Sequence, residues 1–416
     1  MAKMTKSSRV KQSEIERSWW SRFLGSARND NVVVFVIIIL VGIYIYGYQQ
    51  MFFHQDDLDW FILANQPFWG VMSAPIGDHV NFVWRLLLKA EWELFGLYFP
   101  LYLAVSVILH GGVIWCLYKL AKLSSGRSDL AAVAAILFTI NTNWTETVLW
   151  ISGQTITITV LFVLLGMQAI WKKRGETIWL LLASMTSSLA VGLLAGAGVV
   201  YRRGLIPLVG VLILFFFVAS DGTAVEFGWE WVMRVVSVAG GMTINAVIGR
   251  FFVPFDRFEG VRIVGVGVLL VYGAWRWRGQ LREVWQDQWS RFLIVQIVIY
   301  NLVVALGRAQ YGIGIMRAER YTYLGLALFL LLVVRVLRNW QIGKWIWIVP
   351  VLVLMQGVGF YTRARMYVVR PQQMKQLFVE INEQGRENIK LDQYLPHFVL
   401  NDERLKYQDL MNLIND

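Results

Sequence analysis

The chain has 416 residues, of which 57% are hydrophobic and only 16% charged, with a mean hydropathy of +0.51. That is more apolar surface than one soluble core buries, so lipid must take the excess. A net charge of +11 would suit nucleic acid, but the cations fall in short loops between apolar runs, a pattern that orients a membrane protein and excludes a nucleic-acid surface.

In hydrocarbon only helices and closed barrels satisfy their own backbone hydrogen bonds. Continuous apolar runs such as Val32 to Tyr46 lack the alternation of a barrel strand. The sequence therefore predicts an all-α, polytopic transmembrane helical bundle of roughly eleven helices. Residues 1–30 are polar and basic and read as a cytoplasmic N-terminal segment before a retained first helix. Spans are expected to begin at Asn31, Tyr98, Asp129, Val148, Thr177, Gly204, Trp229, Val261, Ser290, Tyr321 and Gly343. The span at Trp229 is interrupted by Arg234, Asn245 and Arg250. Trp19 and Trp20, Trp275 and Trp277, and Trp345 and Trp347 lie near predicted helix ends, as interface anchors do.

The cations set the orientation. Lys3, Lys6, Arg9, Lys11, Arg17, Arg22 and Arg28 precede the first span and place that end in the cytoplasm. Lys119, Lys122 and Arg127, then Lys172 to Arg174, then Arg276, Arg278 and Arg282, then Arg335, Arg338 and Lys344 fall in alternate loops on the same side. Of the opposite loops, 52–97 is long and acid-bearing, and Asn141 to Thr147 holds no Lys or Arg. Residues 31–362 form the expected transmembrane domain. Residues 363–416 form a small polar tail on the outer side, with short helices expected at Met374 to Ile381 and Asp402 to Ile414.

Cys116, the single cysteine, sits in an apolar run and reads as a packing residue; it excludes an internal disulfide. The chemistry-bearing residues lie on the outer side. His54-Gln55-Asp56-Asp57-Leu58-Asp59 follows the first span, and such paired carboxylates serve as a general base toward a hydroxyl, as ligands for a divalent cation, or as a solvated acidic loop. His79 shares that loop. From Asn81 to Phe95, helical spacing puts Trp84, Leu88, Trp92 and Phe95 on one stripe with Arg85, Lys89 and Glu93 off it, which predicts a helix along the interface, or else an early start to the second span. Glu146 stands on an outward turn, where it either positions substrate, pairs with an Arg, or is simply exposed. Arg202, Arg203, Arg308, Arg317 and Arg320 break the cytoplasmic bias of the cations and are candidates for holding a phosphate, since Arg offers a forked, permanent charge; Arg202 and Arg203 are ordinary cytoplasmic charges instead if a helix boundary nearby is misplaced.

The first-loop diacid, the outer segment Asn141-Thr142-Asn143-Trp144-Thr145-Glu146-Thr147 with Trp150-Ile151-Ser152-Gly153-Gln154, and the late element Arg317-Ala318-Glu319-Arg320-Tyr321-Thr322-Tyr323-Leu324 together resemble the GT-C glycosyltransferases, in the branch that contains the transmembrane protein O-mannosyltransferases. The resemblance covers roughly the first three hundred and thirty residues. It implies a GT-C-like fold with juxtamembrane helices in the first outer loop; a bacterial inner membrane is the expected location, with the active face outer or lumenal. It also implies inverting transfer of a sugar from a polyprenyl-phosphate donor to a hydroxyl acceptor on a glycan, lipid or protein. By that resemblance Asp56 or Asp57 is the base; from their own placement His54, Asp59, His79, Glu146, Arg202, Arg203, Arg317, Arg320 and Tyr321 are expected to contact substrates, and Asp56 and Asp57 are the ligands if a divalent cation takes part. The Lys-Glu pair often seen in that branch is replaced here by Arg202-Arg203 after Ala195-Gly196-Ala197-Gly198. A transporter or flippase, and a polymerase or ligase of surface polysaccharide, are the alternatives.

Overall fold

The structure is a computed structural model that describes residues 29–73, 81–141, 144–187, 229–244, 278–308, 319–339 and 371–379, with isolated positions between them. The spans expected at Gly204 and Gly343, nearly all of the one at Val261, the segment 1–28 and the tail helix after Asp402 lie outside the described residues.

Every element among the described residues is helical. In chain order they are α1 (Asn29–Gln50), α2 (Gln55–Ala64), α3 (Phe68–Ser73), α4 (Phe82–Phe95), α5 (Phe99–Ser125), α6 (Ser128–Ile140), α7 (Trp144–Leu149), a 3-10 turn (Ile151–Gly153), α8 (Gln154–Lys172), α9 (Glu176–Thr186), α10 (Trp229–Ile244), α11 (Arg278–Gln286), α12 (Gln288–Arg308) and α13 (Glu319–Val336). Four stretches, Phe99–Ser125, Ile151–Lys172, Gln288–Arg308 and Arg320–Asn339, are long and apolar enough to cross a membrane. This is the make-up of a membrane protein.

Local chemistry explains the helix limits. α5 opens with Pro100 in its first turn, where the missing N–H has no partner to lose. It ends where Gly126 takes φ +72° and its N–H reaches the Lys122 carbonyl. Gly96, at φ +51°, separates α4 from α5, so α4 is a helix of its own and not an early start to the second span.

α5, α6, α8 and α13 pack side by side with α1 and α7 against them, and their facing sides bury Leu117, Phe138, Leu164 and Leu331. The antiparallel order gives the bundle two chemically different ends. At one, the Arg335 guanidinium spans Asp287, at 2.6 and 3.1 Å, and the Ser124 carbonyl. Arg127 reaches the Arg338 carbonyl at 3.3 Å, and Trp171 meets Trp289 edge to face. These residues come from the loops expected to share the basic side.

Asp287 also caps α12, accepting from the Ser290 N–H and hydroxyl at 2.9 and 2.7 Å. Partial burial would raise its pKa, but the Arg335 and Ser290 donors outweigh burial and hold the carboxyl well below the usual range.

The opposite end gathers the acid-bearing loop. Phe52 packs on Phe99 and on Phe378 of the helix at 371–379, and Gln372 donates to Gln50 at 3.3 Å. The expected tail helix therefore docks beside the acid-bearing loop. α4 buries Trp84, Leu88 and Trp92 of its expected stripe. Arg85, expected off the stripe, is buried as well: it donates to Asn81 Oδ1 at 2.8 Å and to the last carbonyls of α3, Val71 and Met72, at 3.2 and 3.1 Å. Lys89 closes α2 in the same way through the Ala64 and Gln66 carbonyls. Two cations on α4 thus satisfy the open C-terminal carbonyls of the two preceding helices.

Candidate functional site at the acid-bearing end

The site begins with an aromatic anchor. Phe53 is fully buried edge to face against Phe61, Phe99 and Tyr102, which fixes the point where the chain enters α2. His54 stands in extended backbone as the N-cap. Asp57, three residues on, accepts the His54 backbone N–H at 2.7 Å, as the returning arm of a capping box does. Its other oxygen accepts the Ser152 N–H at 3.3 Å. Asp57 is only 1% exposed; it ties the start of α2 to the 3-10 turn. Asp59, two residues on, is exposed. Asp56 belongs to α2, and its side chain lies outside the described set.

The second element departs from the sequence reading. Residues 144–153 were expected as a turn followed by a span from Val148; instead they form α7 and the 3-10 turn, and α8 begins only at Gln154. All six residues of α7 are buried. Geometry explains why. α6 has 13 residues and rises about 20 Å, short of the roughly 30 Å of hydrocarbon, so the chain turns while still among the other helices. Gly153 permits the fold-back, since a Cβ there would stand 2.6 Å from the Thr147 carbonyl oxygen and 2.8 Å from that of Glu146.

Glu146, at 8% exposure, is therefore not an exposed carboxylate on a turn. A buried carboxylate needs a counter-charge, and α13 supplies it: Arg320 Nη1 donates to Glu146 Oε1 at 2.5 Å, and the Arg320 backbone N–H donates to Oε2 at 3.2 Å. The guanidinium carbon lies 4.9 Å from the centre of the Trp150 ring and 5.1 Å from that of Tyr321. Arg308, at the end of α12, lies 5.8 Å from the same Tyr321 ring. Trp150 also meets the His54 ring at 4.9 Å. A continuous series thus runs from Asp57 and His54 through Trp150 to Arg320, Glu146, Tyr321 and Arg308. It puts carboxylates and cations around an indole face at one end of the bundle.

Behind Asp57 lies a buried polar group of a different kind. Gln154 Nε2 faces Glu91 Oε1 at 3.0 Å, Ser106 Oγ at 3.1 Å and the Tyr102 carbonyl at 3.3 Å. Burial, partly offset by the Gln154 hydrogen bond and reinforced by the nearby Asp57 charge, pushes the Glu91 carboxyl up to about 8. Deeper in the bundle, His110 Nδ1 and the Tyr323 hydroxyl share a hydrogen bond of 2.6 Å.

The structure thus brings together His54, Asp57, Glu146, Arg320 and Tyr321. It puts Asp59 on the exposed side of α2. His79, Arg202, Arg203 and Arg317 lie outside the described residues. Among the described residues, no three His, Cys, Asp or Glu side chains gather as a metal-holding group. Sequence reasoning gave no role to Trp150 or Glu91. The signal for Glu91 was available, because position 91 falls seven residues after Trp84 and three after Leu88, on the apolar stripe, where a carboxylate is out of place. Comparison of the chain with protein-family models, with curated proteins and with solved structures finds no match in any of the three.

Proposed function

We propose that the chain is an inverting, GT-C-like membrane glycosyltransferase that moves a sugar from a polyprenyl-phosphate donor to a hydroxyl acceptor at the non-cytoplasmic face. The observation that carries this reading is the meeting of three segments far apart in sequence, around His54 and Asp57, around Glu146 and Trp150, and around Arg320, at the end of the bundle away from the cytoplasm-type basic loops. An inverting displacement needs those components. A carboxylate takes the proton of the acceptor hydroxyl, that oxygen attacks the anomeric carbon, and cations receive the phosphate that leaves on the opposite side. In this reading Arg320 and Arg308 face the phosphate, and Trp150 offers a ring face to the sugar. Asp56 is the base, because Asp57 is buried and receives two backbone N–H groups. The roughly eleven spans, the cytoplasmic N-terminus and the extracytoplasmic C-terminus belong to the same proposal.

A transporter would draw instead on polar groups within the spans; among those described, His110 meets Tyr323, Asn301 meets Thr243 at 2.7 Å and Gln168 meets the Cys116 carbonyl at 3.0 Å, whereas the carboxylates Asp57 and Glu146 gather at the acid-bearing end. The test is transfer from a synthetic polyprenyl-phosphate sugar by the full-length chain in vesicles. Asp56→Asn should abolish transfer with the protein still inserted, and Arg320→Ala should weaken use of the donor more than of the acceptor. A wild-type rate in Asp56→Asn would overturn the assignment of Asp56 as the base, and wild-type rates in both Asp56→Asn and Asp57→Asn would overturn the reading with it.

A further inference from the structure

Two oxygen atoms in the wall behind the site are buried without a hydrogen-bond partner: Oε2 of Glu91 and Oε1 of Gln154. Glu91 is 2% exposed, and Gln154 is completely enclosed. Unsatisfied buried polar atoms are costly, and Leu and Met would fill the same space without the penalty. Their neighbours say what they are held for. Gln154 is the first residue of α8, and its backbone N–H bonds back to the carbonyls of Ile151 and Ser152. It thereby closes the 3-10 turn whose Ser152 N–H donates to Asp57. The Gln154 amide is in turn clamped between Glu91 on α4 and the Tyr102 carbonyl and Ser106 hydroxyl on α5.

We infer that Glu91 is a positioning residue for the outer-end site: through Gln154 it fixes the Ile151–Gly153 turn and keeps the Ser152 N–H directed at the Asp57 carboxylate. The protonation states follow from the partners. Two carboxyl groups, Glu91 and Asp57, share one desolvated wall, and repulsion disfavours charge on both. Asp57 receives two N–H donors, whereas Glu91 accepts only from the Gln154 amide. Glu91 has one bare oxygen, so the proton of the pair resides on Glu91. Burial and the Asp57 charge both raise the Glu91 carboxyl, in agreement. The Tyr102 hydroxyl is the other titratable group at this wall, and it donates to the Gly96 carbonyl at 2.8 Å.

The positioning role concerns the backbone and is measurable without turnover; its effect on transfer rests on the glycosyltransferase reading above. The experiment takes the full-length chain in phosphatidylcholine vesicles as wild type, Glu91→Gln and Glu91→Leu. Near neutral pH, the infrared spectrum of the wild type should hold a protonated-carboxyl stretch that Glu91→Gln removes. Hydrogen exchange at the Ser152 N–H should rise at least about tenfold in Glu91→Leu and return to near the wild-type rate in Glu91→Gln, the neutral replacement. In the transfer assay, Glu91→Leu should lower kcat about tenfold with the donor KM unchanged, and Glu91→Gln should restore it. An absent carboxyl band, unaltered Ser152 exchange in Glu91→Leu, or a Glu91→Gln as damaged as Glu91→Leu would each overturn the inference. Should Glu91→Leu fail to insert, the spectra of wild type and Glu91→Gln decide it. If exchange shifts as expected but the wild type transfers no sugar, the sugar-transfer reading fails and the positioning role stands.

Discussion

Glu146 and Arg320 stand 174 residues apart in the chain and meet at 2.5 Å, so their coupling tests whether α7 and α13 are packed as described. Glu146→Gln removes the charge but keeps the shape. A hydrogen bond to a charged group contributes about 1.5–3 kcal/mol, and breaking a fully buried pair costs about 3–5 kcal/mol. This pair lies between those limits, because the side chain of Glu146 is 10% exposed and that of Arg320 is 28% exposed. Arg320 keeps the faces of Trp150 and Tyr321 after Glu146 is neutralised, so those contacts cancel in a double-mutant cycle. The expected coupling energy is therefore about 3 kcal/mol. It is measured by a double-mutant cycle of Glu146→Gln, Arg320→Gln and the double variant, unfolded in mixed micelles and followed by tryptophan fluorescence. A coupling below about 0.5 kcal/mol would mean that the two side chains act independently, and the site as described would be wrong.

Three other outcomes are expected. Gly153→Ala should destabilise the chain by about 2 kcal/mol or more, and abolish transfer under the proposed glycosyltransferase function, since its Cβ would meet two backbone carbonyls that cannot move separately from α7; a melting temperature equal to wild type would show that residues 144–153 do not fold back. Asp287 has a depressed folded pKa, so its contribution to stability is complete above its unfolded value of about 3.9 and declines as pH falls below it toward the folded value; Asp287→Asn should be less stable than wild type at neutral pH, with the gap closing in acid, as unfolding titrations at several pH values would reveal. Chelation addresses the divalent cation: if Asp56 holds a metal, chelator should stop transfer and added Mg²⁺ or Mn²⁺ should restore it, whereas a pure carboxylate base should leave the rate within about twofold.

The positions of the helices were largely legible, for a reason rooted in the solvent. Hydrocarbon requires each apolar run to close its own backbone hydrogen bonds, so the helices near Asn31, Tyr98, Asp129, Thr177, Trp229, Ser290 and Tyr321 begin within a few residues of where the apolar runs begin; those near Asp129, Thr177 and Trp229, with 13, 11 and, among the described residues, 16 residues, are shorter than the spans expected there. The segment 144–153 was not legible, because its path depends on α6 ending early and on Gly153 touching the Thr147 carbonyl, which composition does not reveal. Arg85 misled in the other direction: it stood off the apolar stripe, and its destination is the carbonyl end of α3, some 13 residues before it.

By itself the sequence determined that this chain lives among lipids, that its loops differ in charge from side to side, and which residue types could do chemistry. Those properties depend on runs of neighbouring residues and on their transfer energies, which add along the chain. Tertiary structure alone decided that Glu146 neutralises Arg320, that Asp57 is a buried tie and Asp59 an exposed acid, and that Glu91 stands behind Gln154. These depend on which helices touch and how far each is rotated, and a rotation of one residue, about 100°, exchanges a buried carboxylate for a solvated one.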